Sequence, residues 1–130
     1  MTDLIEVRVS NLAGAALDWA VATVEGVETS WRHGRELVKV HDRGGIKLIE
    51  SIRSAYSPSA DWSQGGPLID KHLGSIHHNP HLEDSRCRYS AGPAGAGIWL
   101  YGPTALVAFC RTLVLTKLGD TVQVPKELMP

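Results

Sequence analysis

Two cysteines, Cys87 and Cys110, are too few for a disulfide framework, so the fold has to rest on packing rather than covalent staples. The opening Met-Thr-Asp-Leu-Ile-Glu has neither a basic stretch nor a long apolar run, and the expectation is a chain without a signal peptide, in a cytosolic setting with reduced thiols. The longest apolar stretch, near the C-terminus, is interrupted by Arg111 and Lys117, which excludes a membrane span and a membrane partner. A net charge of -1 gives no general electrostatic reason for a nucleic-acid partner. Arg32, Arg35, Lys39, Arg43 and Lys47 could form a local basic patch, but Glu36 and Asp42 break it and a solvated surface is the plainer reading. No Gly-x-x-x-x-Gly-Lys-Ser/Thr, Gly-x-Gly-x-x-Gly or Gly-x-Ser-x-Gly motif occurs. His77, His78 and His81, with Cys87 beyond, lack the paired spacing of a metal site, so neither a metal nor another cofactor is expected.

What is present is a chain of 130 residues, 43% apolar, enough for one real core. There are no internal repeats and no linker that would divide residues 1–130 into two domains. Leu4-Ile-Glu-Val-Arg-Val9 alternates as a half-buried strand does. Ser10 and Asn11 offer an N-cap to a helix over Leu12–Val24, which Gly26 would close in a left-handed cap. The small residues Ala13, Gly14, Ala15 and Ala16 would admit a second backbone, either from the same fold or from another copy in a homo-oligomer. Residues 27–36 read as irregular or loosely extended, Leu37–His41 as β-like, and Asp42–Gly45 as a turn. Ile46–Ile52 is either a strand or a short helix, since periodicity does not separate them.

Tyr56–His72, YSPSADWSQGGPLIDKH, is the densest chemical stretch. It reads as a loop as far as Pro67, the first residue of a short helix continuing through Leu68–Leu73. Gly74–Gly97 reads as a long, variable, loop-rich excursion. Ile98–Tyr101 is a strand, with Arg88-Tyr89 as its upstream partner. Gly102-Pro103-Thr104 opens a core helix over Thr104–Leu118, with Gly119 as its C-cap, and Thr121–Pro125 is a last strand. The architecture expected is α+β: a single domain with a small, mainly antiparallel sheet packed against two principal helices.

The candidate site joins three features. Ser63-Gln64-Gly65-Gly66 offers unobstructed backbone amides, Gly102 and Thr104 offer a helix start suited to an anion, and Trp19, Tyr56 and Trp62 offer an aromatic wall. Asp18, on an otherwise uncharged helix, either faces solvent, ties down a neighbouring loop, or lines a pocket shared with Asp61-Trp62. In the leading reading a small polar or anionic ligand is oriented by Asp61 and Gln64, stacked on Trp62 and held by helix amides. The contrasting reading is a protein-interaction module anchored on Trp62 and Trp31, for which an exposed rather than pocketed Trp62 is the discriminating observation. An enzyme ranks third, since it needs Asp18 or Asp61 within reach of Ser63 or His72 in a closed cleft, and no catalytic residue is assigned.

Four blocks occur in order: Ser10–Ala22 (SNLAGAALDWAVA), Tyr56–Ile69 (YSPSADWSQGGPLI), Gly102–Ala108 (GPTALVA) and Lys117–Pro125 (KLGDTVQVP). Together they resemble the phage NinX family, small proteins encoded by phages and prophages and classed as a domain of unknown function. The resemblance spans most of the chain. It implies a phage or prophage origin and a cytoplasmic setting in a bacterial host, so the leading reading becomes a phage accessory protein with a ligand pocket and the contrasting one a module acting on a host or phage protein. It carries over no catalytic residues.

Overall fold

The computed structural model describes residues 3–32, 36–51 and 56–129, and between Ser30 and Ser51 chiefly the backbone. The fold is α+β. Among the described residues the strands pair antiparallel and divide into three small sheets rather than one. β1 (Leu4–Arg8) pairs with β8 (Thr121–Pro125), with Val7 opposite Val122 and Ile5 opposite Val124, so the alternating apolar residues share the inward face. Backbone bonds from Val9 N to Asp120 O (2.8 Å) and Lys126 N to Asp3 O (2.9 Å) tie the two ends of the chain together.

The first helix starts later than the capping signal suggests. Ser10 and Asn11 lie in a 3-10 turn, Val9–Asn11, and α1 runs over Gly14–Glu25 with Ala13 at its N-cap and no side-chain cap. Gly14 has φ 57°, in the left-handed region, so the right-handed helix cannot be extended back toward Leu12. At the other end Gly26, φ 72°, closes the helix as expected, its amide donating to Ala22 and Thr23 carbonyls.

Residues 27–36 contain a strand, β2 (Thr29–Arg32), which pairs with β3 (Glu36–Arg43); β3 pairs in turn with β4 (Ile46–Ser51) around the Gly44-Gly45 turn. The ambiguous Ile46 segment is thus a strand. The side chains of Trp31, Arg32, Lys39, Arg43 and Lys47, and all of His33 and Arg35, lie outside the described residues, so the basic patch and the second aromatic anchor fall there too.

The central stretch is not a loop up to Pro67. α2 covers Trp62–Lys71, with Pro67 inside it and Asp61 as its N-cap. Ala60 and Asp61 amides donate to Ser57 O (3.0 and 2.8 Å), a tight turn that delivers the chain to the helix five residues before the proline. Gly74–Gly97 is likewise more ordered than its composition suggests. It contains β5 (Ser75–His78), a 3-10 turn at Ser85–Cys87 and β6 (Tyr89–Gly92), which pairs with both β5 and β7 (Leu100–Gly102). Tyr89 does pair with this last strand, opposite Gly102. His77 packs against Trp99 (ring centroids 4.5 Å) and His78 stacks on Tyr89 (5.1 Å).

α3 (Ala105–Leu118) is the central element, contacting α1, α2 and all three strands of the β5–β7 sheet. Thr104 Oγ1 caps it by accepting from Val107 N (3.2 Å). Phe109, Cys110, Leu113 and Val114 are fully buried with Leu17, Ala20 and Val21 of α1. Buried Thr112 joins helix to sheet: its hydroxyl donates to Ala108 O (3.1 Å) and accepts from Leu100 N (2.9 Å). The C-terminal ends of α1 and α2 are clamped by Glu25, which accepts from Lys71 Nζ (2.7 Å) and His72 Nε2 (2.9 Å). Burial resists ionisation of Glu25, but these two partners outweigh it and hold its carboxyl below the ordinary value.

Candidate functional site

The segment before α2 is anchored from beneath by Asp18. This carboxylate is 5% exposed and its Oδ1 accepts from Ser59 N at 2.9 Å, so it ties down the neighbouring turn. Burial pushes its pKa up, against the lowering effect of the Ser59 hydrogen bonds. A carboxyl raised in the folded state favours folding below its unfolded value, and that contribution is lost as pH rises through the folded value. At neutral pH the charge is therefore held at a cost while the hydrogen bond is gained. Asp18→Asn, which keeps an oxygen for Ser59 N, should be as stable as the parent or more so at pH 7, and should lose the parent's relative gain in acid. Asp18→Ala should lose about 1–3 kcal/mol by stranding the Ser59 amide. Urea unfolding of the three proteins at pH 7 and pH 4 measures both effects.

The expected aromatic wall does not assemble as one surface. Tyr56 is a core residue whose phenol is pushed well above its ordinary value by burial, Trp19 is half-buried against the core, and Trp62 stands 57% exposed. The polar groups at the start of α2 are engaged with one another. Asp61 Oδ1 accepts from Ser63 N (2.9 Å) and from Ser63 Oγ (2.7 Å), and Oδ2 accepts from Gln64 Nε2 at 3.4 Å. Gln64 Oε1 accepts from Ser57 N at 2.7 Å. The Ser63 hydrogen bonds hold the Asp61 carboxyl below its ordinary range. Asp61 and Ser63 are thus within hydrogen-bond reach, but at an open helix end in capping geometry rather than in a closed cleft, while His72 is engaged by Glu25.

Of the three candidate-site glycines, Gly65, Gly66 and Gly102, two have packing roles. A Cβ on Gly65 would collide with Pro58 O and lie 2.7 Å from Leu106 Cδ2, and one on Gly102 would lie 2.6 Å from Ala108 N. They let α2 and β7 approach α3. Gly66 is different: the nearest atom to its Cβ position belongs to Trp62, at 3.9 Å.

One surface groove, with a volume of about 370 Å³, gathers what remains. It is lined by Gly14 at the start of α1, by Ser59, Ala60 and Trp62 at the start of α2, and by Thr104, Leu106 and Val107 at the start of α3. The first turns of all three helices therefore open onto the same hollow, each with the positive end of its dipole. α1 has no side-chain cap, and neither α1 nor α3 carries an acid in its first turn. Asp61 offsets the α2 terminus with its own charge, so the field is least compensated at the α1 and α3 side. Of the residues singled out in the sequence, Trp62 and Thr104 line the groove. Asp18 reaches it only through Ser59, and Trp19, Tyr56, Asp61, Ser63, Gln64, Gly65, Gly66 and Gly102 are not in its lining. Gly14, Ser59, Ala60, Leu106 and Val107 are not among the residues singled out in the sequence; for Gly14 the reason is that placing the α1 start at Leu12 removes it from any helix end.

The model for the family described as bacteriophage P22 NinX matches residues 8–117. The chain belongs to this phage family, and the matched span takes in three of the four sequence blocks whole and, of the fourth, Lys117 alone. A search of curated proteins found no match. Among the described residues no helix is long and apolar enough to cross a membrane.

Proposed function

We propose that this phage protein is an interaction module whose groove at the three helix starts receives an acidic segment of a host or phage protein. The observation that carries the reading is the placement of Trp62, 57% exposed at the rim of a hollow floored by Leu106 and Val107. An exposed tryptophan beside apolar side chains suits an aliphatic or aromatic anchor from a partner, and such anchors supply most of the energy of an interface. The first turns of α1, which has no side-chain cap, and of α3, which is capped only by the neutral Thr104 hydroxyl, carry no acid and suit a carboxylate next to that anchor. The ligand reading assigns orientation to Asp61 and Gln64, which here hold the helix cap and the Ser57 amide instead. The partner is therefore a peptide with an Asp or Glu adjacent to an apolar residue.

Selection from a random heptapeptide display library tests this. Enriched peptides should pair an acid with an apolar residue and should lose at least tenfold in affinity, about 1.4 kcal/mol, against Trp62→Ala. Thr104→Glu, which places a charge of the wrong sign at the α3 start, should abolish enrichment. Basic consensus peptides, or equal binding to both variants, would overturn the reading; groove shifts with small carboxylates alone would restore the ligand pocket.

A further inference from the structure

A second hollow, sharing no lining residue with the groove, has a volume of about 410 Å³. It lies between the Val9–Asn11 turn, the Ser85–Cys87 turn, β7 and α3. Arg111 lines it from the middle of α3, half-buried. Its guanidinium donates from Nε to Leu12 O (2.8 Å) and from Nη1 to Tyr101 O (2.9 Å). These two carbonyls fix the plane of the guanidinium, and its remaining N–H groups make no further hydrogen bond among the described residues. Among the described residues no carboxylate forms an ion pair with it. Burial pushes its pKa down, as expected of a cation withdrawn from water without a counter-charge.

The surroundings supply further donors and no competing anion. The side chains of Ser10 and Asn11 are exposed at the hollow and make no hydrogen bond among the described residues. Asp84, the one acid in the lining, is closed off by Arg86, which donates from Nε (3.1 Å) and Nη2 (2.8 Å), so that pair adds no net charge. Pre-oriented by two carbonyls and with no carboxylate partner among the described residues, the guanidinium presents a fork that matches a carboxylate or phosphate. Leu100 and Tyr101 add an apolar wall, and the volume is that of a small-molecule site rather than of a lone ion.

We infer that this hollow binds a small molecule through an oxyanionic group, a phosphate or carboxylate, held by Arg111 with Ser10 and Asn11. The test uses the whole chain, isotope-labelled for NMR, titrated separately with inorganic phosphate, acetate and, at matched ionic strength, sodium chloride. Phosphate or acetate should saturably shift the Arg111 Nε and the Ser10 and Asn11 amides, where chloride does not; which of the two binds tighter distinguishes the sources. Asn11→Asp, at an exposed side chain whose change should leave the fold intact, places a carboxylate in the hollow and should weaken phosphate binding at least tenfold. Arg111→Lys, which keeps the charge but not the fork, should weaken it severalfold. Shifts no larger than those with chloride, or phosphate binding unchanged in Asn11→Asp, would overturn the assignment.

Discussion

Phe109→Ala is expected to lower the stability of the fold by about 3–5 kcal/mol, the largest effect of any single truncation considered. Phe109 is fully buried on α3, the helix against which α1, α2 and the β5–β7 sheet all pack. Its ring edge covers Gly74 so closely that a Cβ there would lie 2.6 Å from Phe109 Cε1. Removing the ring therefore opens a cavity at the junction between α2 and β5, where the backbone turn that ends α2 cannot collapse without losing the Gly74 N to Ile69 O bond (2.7 Å). Proteins of this size are commonly stable by only about 5–15 kcal/mol, so a loss of that size removes a large share of the total. Urea denaturation at pH 7 measures it, and a loss under about 1 kcal/mol would mean that Phe109 is not central to the core.

Gly65→Ala is the second large effect, because its direction runs against helix propensity. Alanine is favoured over glycine inside a helix by about 0.8–1.0 kcal/mol. Yet at position 65 the added methyl meets Pro58 O, a backbone atom, and Leu106 Cδ2 at 2.7 Å. Pro58 is itself buried beside Ser59, whose amide is held by Asp18, so the obstruction cannot swing aside cheaply. A net loss of about 1–3 kcal/mol is expected. Gly66→Ala is the internal control. Its Cβ finds only Trp62 at 3.9 Å, and the substitution should be neutral or stabilising. Thermal unfolding of the pair checks the contrast; equal effects at both positions would show that close approach is not what selects glycine at 65.

These two glycines also explain where sequence reasoning succeeded and where it did not. β1, β8, the Gly26 cap and α3 were legible because their signals are local: alternation, a left-handed terminator, and an apolar helix opened by Thr104. The Ser63–Pro67 run carries turn residues, and read locally it is a turn. It is a helix because Gly65 is needed for contact with Leu106, forty-one positions away, and no local pattern contains that distance. The same holds for residues 74–97, whose polar composition conceals two strands, β5 and β6, that pair with each other, with β7 through β6, and rest on α3. The candidate site was legible in its parts. Trp62 and Thr104 belong to the groove, whereas Asp61 and Gln64, the residues of most obvious chemistry, are employed in capping. Arg111 reads in the sequence only as an interruption of an apolar run, since its lack of a carboxylate partner among the described residues is a tertiary fact.

The measurement that bears most directly on the groove is an amide-shift map of the labelled chain titrated with acetyl-Leu-Glu-Glu-Leu-amide at millimolar concentration. Saturable shifts are expected at Gly14 and Ala15, at the Trp62 indole, and at Ala105–Val107, all reduced in Thr104→Glu. No shift at these positions, or shifts confined to other surfaces, would contradict it.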